Sequence, residues 1–308
     1  LVVRVHGGAQ AGHNVVTPAG QQHTFSQFGA ASFLPGRSTL HAQGMIVAPL
    51  ALAGEADHLR SLGADNPLTR LTIDARCRVT TPLHQAANRL RETARGAGRH
   101  GSCGIGVGET VRDGLACGPD ALVAADLRDA ALVAGKLARL RSRLADDVQR
   151  ETGAVVPAAD RDAWVLLQAP LHDVADRLCR AVAGVRLADA GDVRLLALQA
   201  GALVVEGAQG VLLDEWAGFH PHTTWSTCTT ASANAWLGEI AWPGAVRRLG
   251  VVRSAMVRHG AGPLPGSRRS GCAAAAPRPL RSPAWAGPPA RDERAPSFRR
   301  RRPARSAR

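Results

Sequence analysis

The sequence predicts an α/β protein in which a central, mainly parallel sheet is flanked by helices. Short apolar runs of strand type lead directly into glycine-rich loops, as residues 1–5 and residues 203–206 both do. Helical stretches lie between such runs along the chain. Strands that alternate with helices form parallel sheets whose ligands bind beyond the strand ends. We therefore expect the functional residues in the glycine-rich loops.

The first third of the chain alternates strand-type runs with helical stretches. Residues 1–5 form the first run and residues 45–52 the second, followed by a helix over residues 53–62. Thr81-Pro82 opens a further helix, from residue 83 to about residue 95. Proline suits the first turn of a helix and glycine suits the position just past its end, which fixes both boundaries of this helix.

The remaining elements continue this alternation. Residues 126–150 form the clearest amphipathic helix, with leucine and alanine at three- and four-residue spacing and charged residues between them. Residues 159–183 are also predicted to be helical, with a break near Pro170. Residues 249–257 are a further strand candidate.

Composition divides the chain after Pro265. Residues 266–308 contain 12 Arg, 2 acidic residues and 7 Pro, so they carry +10 of the formal net charge of +13, and residues 1–265 carry only +3. The tail has almost no aliphatic residues and cannot bury enough apolar surface to offset its ordering entropy. We expect one folded domain over residues 1–265 and a disordered Arg/Pro-rich tail over residues 266–308, which resembles translation in a shifted frame.

Several classes of protein are excluded by composition. Hydrophobic residues make up 45% of the chain, which excludes a wholly disordered protein. No apolar run of about 18 residues lacks charges, so no membrane-spanning helix is expected. The six Cys show neither a CxxC pair nor a metal-ligand spacing, which favours free thiols in a reducing compartment. We expect a cytoplasmic protein with no membrane partner.

The first glycine-rich segment is GGAQAGHN, residues 7–14. Glycines let a backbone approach a phosphate or a metal closely, and a histidine such as His13 can donate a proton near neutral pH. An ordinary strand-to-loop turn with a surface histidine is the alternative interpretation of this segment alone.

The second segment is RHGSCGIGVGE, residues 99–109. Backbone N–H groups in such a loop, together with the Ser102 hydroxyl, can form a phosphate-binding nest. The segment lacks the Lys-Ser/Thr pair of a Walker A loop, so by its own pattern a flexible connector explains it equally well.

The third segment covers residues 204–230, where a strand delivers Gln209 to a polar loop. The Gln209 amide can both donate and accept, which suits recognition of a heterocycle edge. His220 and His222 suggest a metal pair, but no third ligand is in register with them. Hydroxyl groups that could hold a phosphate follow at Thr223, Thr224, Ser226 and Thr227.

In this order, the three segments resemble adenylosuccinate synthetases. That family carries a GGxNAGH segment, a GTTGxGIGP-like loop, an EGAQGxLLD segment with a Pro-x-x-Thr-Ser-Ser run, and a RxGAGPxPTE segment. The matching stretches here are residues 7–13, 101–109, 206–214 with 221–227, and 258–265. Residues 88–96 also match the helix that precedes the glycine-rich loop, so the resemblance spans about residues 1–265.

The resemblance implies a ligase that joins IMP and L-aspartate to give adenylosuccinate in purine nucleotide synthesis. GTP is the co-substrate and Mg²⁺ the metal ion, because the purine oxygen is phosphorylated before the aspartate amine displaces phosphate. Metal and hydrogen-bond donors neutralise charge on the transferring phosphoryl group. The resemblance further implies a P-loop-NTPase-like α/β fold and a homodimer with composite active sites.

Residue roles follow from the same resemblance. His13 matches the family's general acid beside the departing β-phosphate, and Gly12 matches the glycine whose carbonyl ligates Mg²⁺. Gln209 matches the glutamine on the hypoxanthine ring, and Thr224 matches the threonine at the IMP phosphate. The full set expected to bind IMP is Gln10, Ala11, Gly12, His13, Ser102, Cys103, Gln209 and Thr224.

Some positions with expected roles at the IMP site depart from the family pattern. Gln10 stands where the family usually has asparagine, and Cys103 stands where it has a phosphate-binding threonine, although Ser102 beside it offers a hydroxyl. The arginine that reaches the neighbouring subunit's IMP site falls near Cys117, so that contact is expected to be absent or displaced to Arg112.

The ends of the chain also differ from the family. The Gly-Asp-Glu-Gly-Lys-Gly phosphate loop is expected upstream of Leu1, and neither the Arg-rich loop nor the Lys-x-Asp guanine reader follows Pro265. We therefore expect a sequence that is incomplete at both ends and an enzyme that is inactive or impaired as written.

Two other functions stay open. A divergent synthetase could act on a related purine nucleotide or amine donor in specialised metabolism. A non-catalytic nucleic-acid-binding protein could use its basic tail, but that tail offers only Trp285 and Phe298 for stacking. Binding through such a tail would be nonspecific and lost at modest salt, so nucleic acid is not the expected partner.

Overall fold

The computed structural model describes residues 1–153, 160–252 and 262–265. These residues belong to one compact unit, Leu1–Ala275. The predicted disordered tail over residues 266–308 lies outside the described residues. The strand candidate over residues 249–257 is described only as far as residue 252, and this part of it is not a strand.

The centre of the molecule is a five-stranded sheet in which every neighbouring pair is parallel, as the sequence predicts. The order across the sheet is β6-β5-β4-β1-β7, with β1 in the register Val3 opposite Leu40 on one side and Val205 on the other. The strands are β1 (Val2–Arg4), β4 (Thr39–His41), β5 (Leu71–Asp74), β6 (Arg186–Ala188) and β7 (Val204–Glu206).

A separate two-stranded hairpin carries the end of the first glycine-rich segment. Strands β2 (His13–Val16) and β3 (Gln22–Phe25) pair antiparallel, with His13 opposite Phe25. The sequence analysis does not predict this hairpin. Its consequence for the site is that the His13 backbone is fixed by a strand pair instead of a mobile turn.

Eight α-helices surround the sheet in the described residues. They are α1 (Pro49–Ser61), α2 (Pro82–Ala94), α3 (Val107–Cys117), α4 (Ala130–Thr152), α5 (Arg161–Gln168), α6 (Leu171–Ala181), α7 (Ala190–Gln199) and α8 (Thr230–Glu239). The predicted break near Pro170 is confirmed, since α5 ends before it and α6 begins after it. Helix α2 begins where Thr81-Pro82 predicts, with the Thr81 hydroxyl accepting from the His84 N–H.

Two predicted boundaries are wrong. The apolar run over residues 45–52 is not a strand, because it makes only isolated bridges at Met45 and Val47 before Pro49 starts α1. The helix predicted over residues 126–150 is divided in two. A short 3-10 turn ends at Arg128, and Asp129 then caps α4 by accepting from the backbone N–H of Ala131.

Apolar residues from both faces of the sheet form two clusters. The larger cluster packs β5 against helices on one side and includes Phe25, Leu52, Leu71, Ile73, Leu83 and Leu137. The smaller cluster packs β1 and β4 against α7 and α8 and includes Val3, Leu40, Val193 and Trp236. Helices therefore cover both faces, as expected for a parallel sheet. No helix among the described residues is long and apolar enough to cross a bilayer.

A buried carboxylate fixes the loop that follows β3. Glu55 of α1 is 3% exposed and accepts hydrogen bonds from the backbone N–H groups of Ser26, Gln27 and Phe28. Burial alone would raise the pKa of this carboxyl, but the hydrogen bonds it accepts, including one from His23, hold its pKa below the ordinary value. The loop is therefore held against α1 beside the C-terminal ends of β1 and β7.

Candidate active site

The first and third glycine-rich segments meet beyond the end of β1. At Gly7, whose φ is +90°, an added Cβ would lie 2.9 Å from Ala208 Cβ and 3.3 Å from Gln209 Oε1. Only glycine leaves room for the Gln209 amide at this place. Gln209 itself has a φ of +61°, a conformation that directs the chain sharply away from β7.

The second segment reaches the same place through the start of α3. An added Cβ at Gly8 would lie 2.8 Å from Val107 Cγ2 and 2.9 Å from Gln10 Oε1. One residue along, an added Cβ at Gly108 would lie 3.5 Å from Trp225 Cδ1. All three segments singled out in the sequence therefore converge around the glycine pair at residues 7–8 and the Val107-Gly108 step at the start of α3.

Two amide atoms in this region are buried without a hydrogen-bond partner. Among the described residues, neither Gln10 Oε1 nor Gln209 Nε2 is paired. The first is an acceptor and the second is a donor. An unpaired buried polar atom costs about 1–3 kcal/mol, so this arrangement favours a ligand that supplies one donor and one acceptor.

His13 stands at the start of β2 and faces a carboxylate. Its Nδ1 lies 3.5 Å from Glu206 Oε2, and the Glu206 carboxylate accepts from the Ala30 N–H at 3.1 Å. Burial, helped by the charge of Arg4, lowers the pKa of His13 to about 4. Burial also raises the pKa of the Glu206 carboxyl. The His13 ring is therefore neutral at pH 7, with one ring nitrogen directed at Glu206.

A buried polar cluster supports the site from below. Arg4 is fully buried and donates through Nη1 to the Phe28 carbonyl at 3.3 Å. His6 Nε2 accepts from the Ala208 N–H at 3.4 Å, and His41 Nε2 lies 2.7 Å from the Gln27 carbonyl. Desolvation by burial, together with the Arg4 charge, lowers the pKa of both His6 and His41 to about 4.

These histidines predict a loss of stability in mild acid. His6, His13 and His41 bind protons near pH 6.5 in the unfolded chain but only near pH 4 in the folded one. Stability is therefore full above about pH 6.5 and is lost as the pH falls towards about 4, because the unfolded state binds more protons. Urea unfolding at several pH values measures this loss.

A substitution distinguishes the contribution of these buried histidines to the loss of stability in acid from the contribution of the carboxyl groups. The variant His41→Gln is expected to lose stability less steeply than the wild type between about pH 6.5 and about pH 4. The matched control is His172→Gln, at an exposed position of α6, which tests for an unspecific effect of losing a histidine. Parallel profiles for wild type and His41→Gln would contradict the assignment.

The second glycine-rich segment is ordered by a carboxylate of α2. The Glu92 carboxylate accepts from the backbone N–H groups of Gly101 and Ser102, both at 3.1 Å. The Ser102 hydroxyl donates to Asn88 Oδ1 at 2.8 Å, and Cys103 is exposed. Two N–H groups of the predicted phosphate nest are thus occupied by Glu92 in this structure. That Ser102 and Cys103 contact a nucleotide stays a prediction.

The polar loop after β7 is held by Asp214, which is 2% exposed. Its Oδ1 accepts from the N–H groups of Trp216 and Ala217, and its Oδ2 accepts from the Cys228 N–H at 2.7 Å. Burial would raise the pKa of this carboxyl, but these hydrogen bonds hold its pKa below the ordinary value. Asp214 therefore ties both ends of the loop that presents Thr224.

Other predicted residues are placed as follows. Thr224 is half-buried, and its N–H donates to the Leu213 carbonyl. His222 Nδ1 lies 3.2 Å from the His100 carbonyl, which links this loop to the second segment. Among the described residues no group of three or more histidine, cysteine or acidic side chains could hold a metal ion. Arg112 pairs with Glu151 of α4 within the chain.

Several contributors to the site are not singled out by the sequence analysis. Glu206, Asp214 and Glu92 act through buried or partly buried hydrogen bonds that no local pattern reveals. Trp225 is also missed, although an aromatic residue inside a threonine-rich run is visible in the sequence.

Comparison with known proteins gives one consistent result. The family model for adenylosuccinate synthetase matches residues 1–276. The chain is 34% identical over 270 residues to the adenylosuccinate synthetase of Anaeromyxobacter dehalogenans strain 2CP-1, covering 86% of this chain and 58% of that protein. It is 32% identical over 267 residues to that of Neisseria gonorrhoeae strain ATCC 700825, with the same coverage.

A solved structure shares the fold. The fully ligated adenylosuccinate synthetase from Plasmodium falciparum superimposes with a TM-score of 0.66 and 19% identity, covering 85% of this chain and 57% of that one. The chain thus spans about 58% of the length of the curated relatives that it matches.

Proposed function

The chain belongs to the adenylosuccinate synthetase family, and on that premise we propose that its site binds IMP for a GTP-dependent ligation with L-aspartate. The observation that carries the proposal is the convergence of three glycine-rich segments around an unpaired amide donor and an unpaired amide acceptor. A hypoxanthine ring offers the complementary pair on one edge, an oxo acceptor beside a ring N–H donor.

Gln209 and Gln10 are the proposed readers of that edge. Gln209 Nε2 would donate to an acceptor of the purine, and Gln10 Oε1 would accept from a donor, so that both buried atoms become paired. Gln10 stands where the family usually has asparagine, and its longer side chain reaches Gly8 in this structure. The backbone of Ala11 and Gly12 completes the wall between Gln10 and His13.

His13 is the proposed catalytic residue for phosphoryl transfer. The γ-phosphoryl group of GTP passes to the purine O6 as N1 loses its proton to solvent, and GDP leaves. The amine of L-aspartate then displaces phosphate from purine C6 and gives up a proton. With its pKa at about 4, His13 would act as a neutral N–H donor to charge that develops on the departing β-phosphate. The neutral ring has one N–H, so Glu206, whose carboxyl pKa is raised by burial, would donate its proton to Nδ1 and the N–H on Nε2 would face the phosphate.

The IMP phosphate is proposed to lie between Thr224 and the second glycine-rich segment. The Thr224 hydroxyl, the Ser102 hydroxyl and the Cys103 region are the candidates to contact it. His222 joins these two loops through the His100 carbonyl, so they are held at one end of the site.

Magnesium fits this site only as a metal held largely by substrate oxygens. Described side chains form no carboxylate cluster for a metal ion, and Mg²⁺ commonly keeps several waters and binds through phosphates and one or two protein groups. The Gly12 carbonyl is the proposed protein ligand. When bound, Mg²⁺ neutralises charge on the phosphates.

Two further parts of the proposal concern the oligomeric state of the protein and its location in the cell. A homodimer is proposed from the family, and light scattering of the purified chain tests it. Arg112, the candidate for a contact across that dimer, would have to exchange its ion pair with Glu151 for the partner's phosphate. A cytoplasmic location is proposed because the reaction serves nucleotide synthesis.

Product formation tests the proposed function. The full 308-residue chain is incubated with IMP, L-aspartate, GTP and MgCl₂, and adenylosuccinate, GDP and phosphate are quantified by chromatography. Turnover by this chain, expected to be impaired, should give the three products in equal amounts, and none when any substrate is omitted. Calorimetric titration with IMP tests binding separately from turnover. Other purine nucleotides are titrated in parallel, because Gln10 distinguishes this chain from most of the family.

Product quantification tests catalysis, and the IMP titration tests nucleotide binding. IMP binding without products would support the nucleotide site and contradict catalysis by this chain. A chain that binds neither IMP nor another purine nucleotide would contradict the proposal as a whole.

A further inference from the structure

Trp225 is a large aromatic side chain that the proposed chemistry does not use. It is 48% exposed and lies in the loop that Asp214 ties down, directly after Thr224. Its pyrrole edge lies against the start of α3, with Cδ1 3.5 Å and Nε1 3.9 Å from where a Cβ on Gly108 would stand. The indole is thus held on one edge while about half of its surface stays open to solvent.

The surroundings of the indole are those of the nucleotide site. Gly108 follows Val107, whose side chain contacts Gly8, and Gly8 in turn lies against the unpaired Gln10 Oε1. The loop also returns to Gln209, since Cys228 Sγ lies 3.8 Å from Gln209 Oε1. The half-exposed indole is therefore linked to the two amide groups through the contacts of Val107, Gly8 and Cys228.

Two unpaired amide atoms close to a half-exposed indole suit the recognition of a flat heterocycle. Amide groups recognise the edge of a flat heterocycle by hydrogen bonds, and an aromatic face recognises its plane by stacking. Covering a half-exposed indole also removes apolar surface from water. The motif Pro-x-x-Thr-Ser-Ser has serine at the position of Trp225, so the aromatic face is a departure that this chain makes.

We propose that Trp225 stacks on the purine base of the bound nucleotide and so contributes to the selection of a purine ligand. This inference rests on the proposed IMP site. Stacking on one aromatic side chain contributes enough to affinity that its loss changes the Kd about 5- to 100-fold.

Titrations with and without a base test the proposal. Trp225→Ala is expected to raise the Kd for IMP about 5- to 100-fold by calorimetry, and to leave the Kd for ribose 5-phosphate unchanged because that ligand has no base. The matched control is Trp216→Ala, since Trp216 lies in the same loop but is 82% exposed. It should change neither affinity.

Tryptophan fluorescence gives a second readout that is independent of turnover. IMP should change the emission of the wild type and of Trp216→Phe, while Trp225→Phe should bind IMP with little change in emission. Three results would overturn the stacking role. The first is an unchanged IMP affinity in Trp225→Ala, and the second is an equal loss of affinity for IMP and for ribose 5-phosphate in that variant. The third is an emission change on IMP binding in Trp225→Phe that is as large as in the wild type. A wild type that binds no IMP would instead overturn the nucleotide site itself, and the role of Trp225 with it.

Discussion

Replacing His13 with asparagine is expected to lower the rate of adenylosuccinate formation about 10²- to 10⁴-fold. Asparagine retains a hydrogen-bond donor but cannot keep one nitrogen on Glu206 and present another to a departing phosphate. The contact between His13 Nδ1 and Glu206 Oε2, 3.5 Å long, is the observation behind this expectation. Initial rates at saturating substrates measure the loss, and calorimetry with IMP shows whether binding changes as well.

The pH profile distinguishes the proposed neutral donor from a protonated one. Because the pKa of His13 lies at about 4, the rate should not follow a histidine titration near pH 6.5 in the free enzyme. His172→Asn, at an exposed position of α6, is the control for an unspecific effect of losing a histidine. A His13→Asn variant as active as the wild type would contradict the catalytic role, whatever the profile.

Replacing Asp214 with alanine is expected to destabilise the protein by about 2–4 kcal/mol, because hydrogen bonds to a charged group contribute about 1.5–3 kcal/mol and their loss leaves buried donors unpaired. Its two oxygens accept from the N–H groups of Trp216, Ala217 and Cys228. IMP affinity should fall as well, since the same loop presents Thr224 and Trp225. Urea unfolding and IMP titration measure the two effects.

Two further variants, Asp214→Asn and Asp176→Asn, test whether the hydrogen bonds of Asp214 cause the loss of stability. Asp214→Asn should lie between the wild type and Asp214→Ala, because asparagine keeps one acceptor and sets an N–H group against another donor. Asp176→Asn on α6 is the control, since Asp176 is exposed. An Asp214→Ala variant with wild-type stability would show that the loop is held by other contacts.

The parallel sheet was predictable from its most apolar strands but not strand by strand. β1 and β7 are predicted because valines dominate them and glycine-rich loops follow. β4 is not predicted, since it buries Thr39 and His41 and so has no apolar pattern. β6 begins with the exposed Arg186, and of its residues only Ala188 is buried, so it has no apolar pattern either. Strands this short acquire their burial from neighbours that local sequence does not reveal.

The site shows the same division between local pattern and tertiary contact. The sequence predicts Gln209 and His13 as functional because glycine-rich motifs surround both. It does not predict that Glu206 contacts His13, because this pairing depends on where the β2–β3 hairpin lies against the end of β7. Nor does it predict that Glu92 occupies two N–H groups of the second glycine-rich segment, which depends on how α2 packs.

Hydrogen–deuterium exchange with and without IMP tests most directly whether the three glycine-rich segments form one nucleotide site. IMP is expected to slow exchange together in residues 6–13, 101–108 and 207–228, which converge around Gly7, Gly8 and Gly108. Helices α4 and α6, whose apolar residues belong to the larger cluster and which carry none of the proposed nucleotide-binding residues, should not change. Protection confined to one segment would contradict a shared site. Protection absent from all three segments at an IMP concentration well above the Kd measured by calorimetry would contradict it as well.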